Sequence, residues 1–171
     1  IIREKLGPRI YGVDDEQLEE ILVLQLTASR QTLAVAESCT GGLLAHRLTN
    51  VPGASTVFLA GHCTYSNTAK QNTLGVLAET LAEHGAVSEA IARQMAEGAR
   101  AVHGADYALA TTGIAGPDGG TVEKLVGTVF IACATAEGTD VVNACFATDR
   151  VTFKQLVVQQ AMNELRLKIC K

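Results

Sequence analysis

Three stretches of the sequence gather side chains able to do chemistry. The first is AESCTGG, residues 36–42, which sets Ser38, Cys39 and Thr40 directly before Gly41 and Gly42. If a buried strand ends near Ala36, Ser38 stands at its C-terminal edge, facing the start of the next helix. Ligand sites in open α/β sheets gather at such edges. Free N–H groups at a helix start favour an anion or a developing oxyanion. Gly41 and Gly42 would let a substrate approach the backbone closely. The same residues serve equally well as a helix N-cap. The run is not GxSxG, so a hydrolase nucleophile elbow is not indicated.

The second stretch is TYSNTAK, residues 64–70, with Tyr65, Ser66 and Asn67 at a strand end and Lys70 about one turn into a helix. A serine nucleophile needs a base. None of His46, His62, His84 and His103 is a clear candidate, and a lysine kept neutral by burial can act instead. The plainer reading is a helix start capped by Ser66 with Lys70 in solvent. The third stretch is TTGIAGPDGG, residues 111–120, whose glycines follow a strand and suggest a loop that wraps a phosphate or ribose with its backbone. It is neither GxGxxG nor a Walker loop, and a simple turn explains it as well. Finally, Arg150 and Lys154 flank the start of the last helix, where cations are not placed for dipole reasons. They suit a substrate phosphate or a solvated helix face.

The elements that must position these groups follow from the apolar pattern. Leu18, Ile21, Leu22 and Leu26 have helical spacing after Asp14 and Asp15. Residues 32–36 read as a buried strand, 56–65 as a strand with an irregularity at Gly61, and 106–112 as another. Residues 125–134 and 139–148 read as a hairpin. Helices are expected near 43–48, 67–74 and 78–84, after the cap Ser88, and from Arg150 with Phe153, Val157, Ala161, Leu165 and Ile169 at spacing four. The expected fold class is α/β, a three-layer α/β/α sandwich around a mixed, mostly parallel sheet. Residues 1–13 read as a linker or the tail of an upstream domain, and 14–171 as one domain.

Composition excludes several classes. A net charge of −4 with no basic run argues against nucleic acid as a partner. No apolar run reaches membrane-span length, so no membrane is expected. The five cysteines have odd count and no CxxC pair, and read as reduced, buried thiols of a cytoplasmic protein. With no HxxxH or HxH pattern, neither a metal nor a cofactor is expected. The apolar helix faces suit a homo-oligomer.

Taken in order, AESCTGGLLAHRLTNVPGAS, TYSNTAK, LGV, AVSEAIARQMAEGAR, TTGIAGPDGG and VGTV resemble the CinA C-terminal domain family over about residues 15–168. The resemblance implies a pyridine-nucleotide amidohydrolase that converts nicotinamide mononucleotide to the acid and releases ammonia. It implies Ser38 as nucleophile, Lys70 as general base and Tyr65 as an assisting group. Backbone around Thr40, Gly41 and Gly42 would hold the oxyanion. Cys39, Asn67 and the loop from Thr112 to Gly120, with Thr112, Gly113, Ala115 and Gly116, would border the small-molecule nucleotide, and Arg150 and Lys154 would neighbour its phosphate. The family commonly has proline where this chain has Leu125 and glycine where it has Thr148. It more often has smaller or aliphatic residues at His62 and Cys63. Two other readings stand beside this one. Cys39 could be the nucleophile instead, or the domain could be an inactive nucleotide-binding or interaction module.

Overall fold

Along the first strand, β1 (Leu33–Glu37), large and small apolar residues alternate. Successive side chains point to opposite faces of a sheet, so Leu33 and Val35 face one way and Ala34 and Ala36 the other. The pattern recurs on β3 (Tyr107–Gly113) and β4 (Thr128–Ala134). Leu109, Val129, Ile131 and Cys133 join the aliphatic face, and Ala108, Ala110, Ala132 and Ala134 join the alanine face. The computed structural model describes residues 10–169 together with Lys5 and Gly7. Most of the expected N-terminal tail, and Cys170, lie outside the described residues.

Two further strands, β2 (Phe58–Cys63) and β5 (Thr139–Cys145), form the edges of the sheet, whose order is β2-β1-β3-β4-β5. β1 pairs in parallel with β2 and β3, whereas β4 is antiparallel to both β3 and β5. Four strands therefore point one way and β4 alone runs against them, the mixed sheet expected. The aliphatic face is covered by α1 (Leu18–Ser29), α2 (Leu43–Thr49) and α6 (Arg150–Ile169). The alanine face is covered by α3 (Asn67–Leu74), α4 (Ala78–His84) and α5 (Glu89–His103). Phe153, Val157, Ala161 and Leu165 are all fully buried, as their spacing of four predicts.

Small residues bring α5 unusually close to its neighbours. Ala92, Ala96 and Ala99 meet the alanine face. A Cβ built on Gly98 would lie 2.0 Å from the backbone oxygen of Leu74, at the end of α3. Alanine there gains about 1 kcal/mol of helix propensity but forces rigid backbone apart, which costs roughly 1–3 kcal/mol. Gly98→Ala is expected to lower the midpoint of thermal unfolding by a few degrees, read by circular dichroism.

Local details depart from the expected pattern. α1 begins at Leu18, where Gln17 and Glu20 form a reciprocal capping box, so the acids of its first turn are Glu19 and Glu20 and not Asp14 and Asp15; Asp14 turns with φ 54°. The irregularity in the β1–β2 pairing falls between Leu33 and Ala34, not at Gly61. The thiols also divide. Cys39 and Cys133 are buried, but Cys63 and Cys145 are exposed because each lies on an outward position of an edge strand. No helix among the described residues is long and apolar enough to cross a membrane.

Candidate active site

Adjacent parallel strands β1 and β2 send their chains to opposite faces of the sheet, β1 into α2 and β2 into α3. Such a divergence opens a crevice beyond the strand C-termini. Ser38 is the first residue after β1, held in place by its N–H donating to the Thr111 carbonyl at 3.0 Å. Lys70 lies on the second turn of α3. That helix is started by Ser66, whose hydroxyl accepts from the Ala69 N–H at 3.1 Å. The two readings of TYSNTAK therefore combine: Ser66 is the cap, and Lys70 is buried, with only 1% of its surface exposed.

Lys70 Nζ is 3.1 Å from Ser38 Oγ, 2.8 Å from the Thr64 carbonyl oxygen and 3.4 Å from that of Tyr65. Burial holds its pKa below the ordinary lysine range, against a smaller opposing pull from Cys39 and Cys63. Among the described residues no carboxylate forms an ion pair with it. A neutral amine has two N–H donors and one lone pair. The two carbonyls can take the donors, which leaves the lone pair for the Ser38 hydroxyl. That is the geometry a general base requires.

The cleft around this pair has a volume of about 300 Å³. Ser38, Cys39, Tyr65, Lys70, Thr112, Gly113, Ala115, Gly116 and Arg150, all anticipated from the sequence, line it. Thr40, Gly41, Gly42 and Asn67 do not. Thr40 is fully buried, its hydroxyl 2.8 Å from that of Thr111. Asn67 is exposed at the first position of α3. Tyr65 is 59% exposed, and its hydroxyl accepts from Arg150 Nη2 at 2.7 Å. Arg150 Nη1 donates to the Gly116 carbonyl at 2.9 Å, so this guanidinium ties the glycine-rich loop to the rim. Thr112 donates to the Ala86 carbonyl at 2.7 Å and anchors that loop to the segment before α5. Lys154 Nζ lies beside Gly41, 3.5 Å from where a Cβ would stand.

Ile114, Asp118 and Gly119 line the cleft from the glycine-rich loop that the resemblance sets beside the nucleotide. Three residues escape a reading of the sequence. Ala86 and Val87 line the cleft but carry no chemical flag. Glu37 is the third. It is 1% exposed, and its carboxylate accepts from the N–H groups of Gly42 and Leu44, each at 3.0 Å, and of Ala45 at 2.9 Å. The expectation of free amides at the start of α2 is thereby corrected, because Glu37 occupies them. An acid just ahead of a helix start that lacks a side-chain cap is the available signal. His62, on β2, is 2.6 Å from His103 at the end of α5, Nε2 to Nε2, and no histidine among the described residues hydrogen-bonds Ser38.

Cys39 is a poor nucleophile. Its thiol is buried and burial pushes its pKa up to about 12, so it carries almost no thiolate at neutral pH. Cys39→Ala is expected to keep turnover within about threefold of wild type; loss of activity in that variant would restore the thiol mechanism. Among the described residues, no three His, Cys, Asp or Glu side chains are grouped to hold a metal ion.

Comparison with known proteins places this geometry in context. The family model described as CinA, CinA C-terminal domain, matches residues 15–169. A putative competence-damage inducible protein of Caldicellulosiruptor bescii is 50% identical over 168 residues, which cover 98% of this chain and 41% of the relative. A CinA-like protein of Anaeromyxobacter sp. (strain K) is 46% identical over 172 residues, 98% of this chain and 42% of the relative. The chain thus spans about two-fifths of the length of these curated relatives. A crystal structure of a competence-damaged protein (CinA) superfamily protein from Klebsiella pneumoniae matches with a TM-score of 0.86 at 37% identity, covering 90% of this chain and 96% of that one. The structure of the competence/damage inducible protein CihA from Agrobacterium tumefaciens matches at 0.85 and 38%, covering 95% and 99%.

Proposed function

Because the chain belongs to the CinA C-terminal domain family, we propose that it hydrolyses the carboxamide of nicotinamide mononucleotide, using Ser38 as nucleophile and Lys70 as base. The observation that carries this reading is the buried Lys70 Nζ standing 3.1 Å from Ser38 Oγ with no carboxylate partner among the described residues. A paired lysine would stay protonated and could not accept.

Lys70 takes the hydroxyl proton as Ser38 Oγ attacks the amide carbon. The tetrahedral intermediate collapses when the C–N bond breaks. The proton on Lys70 passes to the leaving nitrogen, and ammonia departs from a seryl ester. Water then attacks the ester, Lys70 accepts its proton, and Ser38 regains a proton as the carboxylic acid product leaves. Arg150, at the rim, is the cation that would meet the nucleotide phosphate. It would exchange its hydrogen bond to the neutral Tyr65 hydroxyl for a charge-assisted one.

The test is ammonia release from nicotinamide mononucleotide, run beside free nicotinamide and the dinucleotide. Turnover of the mononucleotide well above the other two is expected. Tight nucleotide binding with no ammonia from any of them across a broad pH range would overturn the reading in favour of an inactive binding module.

A further inference from the structure

The amides between Ser38 and Ala45 can be accounted for one by one. Ser38 N–H donates to Thr111, Gly41 N–H to Ser38 at 3.2 Å, and Leu43 N–H to Thr40 at 3.4 Å, all at carbonyl oxygens. Gly42, Leu44 and Ala45 donate to Glu37. Only the amides of Cys39 and Thr40 donate to no carbonyl or carboxylate among the described residues. Buried amides are nearly always paired, and both residues are buried. They directly follow the nucleophile, and Cys39 also lines the cleft.

Glu37 takes three of the six paired amides, and backbone carbonyls take the other three. As the last residue of β1 it is clamped on both sides, opposite Cys63 and Thr111, and its own carbonyl accepts from the Thr64 N–H at 2.9 Å. Its carboxylate then reaches forward to residues five, seven and eight positions on. One side chain thereby joins the strand end to the helix start and holds both ends of the turn that carries Ser38. We propose that Glu37 is a positioning residue. It closes the start of α2 to substrate, and it sets the Ser38–Gly41 turn so that the amides of Cys39 and Thr40 receive the oxyanion of acyl transfer. This assignment rests on the Ser–Lys reading above but not on the identity of the amide substrate.

A fluorophosphonate probe tests it. Ser38 Oγ forms a bond to phosphorus, fluoride leaves, the hydroxyl proton goes to Lys70, and the phosphoryl oxygen occupies the oxyanion position. In ¹⁵N-labelled wild-type protein, adduct formation is expected to move the amide proton resonances of Cys39 and Thr40 downfield. Those of Gly42, Leu44 and Ala45 should move little. The reverse pattern overturns the assignment, and this measurement needs no variant to fold. Glu37→Gln puts an NH₂ group against backbone donors, and is expected to slow Ser38 labelling by about 10²-fold. For ammonia release it should lower kcat similarly, leave KM within about threefold, and leave the pH midpoint of the rate unchanged. Labelling of the folded variant at the wild-type rate, or a displaced pH midpoint, overturns the assignment. Wild-type protein that is labelled at Ser38 yet releases no ammonia removes the proposed substrate and keeps the role of Glu37. Wild-type protein that resists labelling at Ser38 removes both.

Discussion

Ser38→Ala is expected to lower ammonia release by on the order of 10⁴-fold or more while the protein stays folded. The chemistry sets the size of the loss. Without Oγ no ester can form, and what remains is weak assistance from binding and from the amides near the turn. The structure limits the collateral damage. Ser38 is only partly buried, its main-chain bond to Thr111 survives, and its side chain gives up a single hydrogen bond, the one to Lys70. Removing one such hydrogen bond costs about 1 kcal/mol, a few degrees at most in the unfolding midpoint. An ammonia assay and a thermal melt on the same sample decide the matter. Turnover near the wild-type rate with an unchanged melt would eliminate serine as the nucleophile.

The second large effect concerns Lys70. Lys70→Ala should reduce turnover by roughly 10³-fold or more, and Lys70→Arg should fail to restore it, because guanidinium does not release its proton in the working pH range. The pH dependence carries a sign that can be worked out. The active form is the neutral amine, so kcat/KM must rise with pH and level off above the lysine pKa. Burial lowers that pKa, so the midpoint falls below the ordinary value of about 10.4. A thiol mechanism through Cys39 would instead rise only toward about pH 12. Folding stability follows the same group. The folded pKa is depressed, so the unfolded chain binds more protons between the two values. Stability is therefore greatest above the unfolded pKa and falls as pH drops toward the folded one. Replacing Lys70 with Ala should flatten that slope, measured as denaturant midpoints over pH. A profile that falls with rising pH, or a slope that persists in the variant, would contradict a neutral Lys70.

How much of this is legible in the sequence can be judged from individual residues. β1, β3 and β4 are visible as apolar runs between polar ends, because buried strands admit little else. The spacing of four along α6 is visible too, since it is imposed by one buried helix face. Ser38 and Lys70 are marked by residue type, but their partnership is implied only by the family resemblance, because it depends on two strand ends meeting from separate parts of the chain. The parallel pairing of β1 and β2 removes that ambiguity. Glu37 is hidden because its carboxylate acts on backbone groups several positions ahead, and a backbone amide has no letter of its own. The link from Tyr65 to Arg150 is hidden by a separation of 85 residues. Exposure of Cys63 and Cys145 depends on which strands become edges, and strand order is decided by crossovers that local patterns do not encode.

The nucleophile rides on the sheet, whereas its base hangs from a helix stacked over the methyl-lined side. The gap between them is therefore a gauge of how thick that layer is. A single added carbon beneath α5 or between α5 and α3 would shim the two apart, far from any reacting atom. Catalysis in such a variant should fade before the fold does, so enzymatic rate would report on packing more sensitively than a melting curve can.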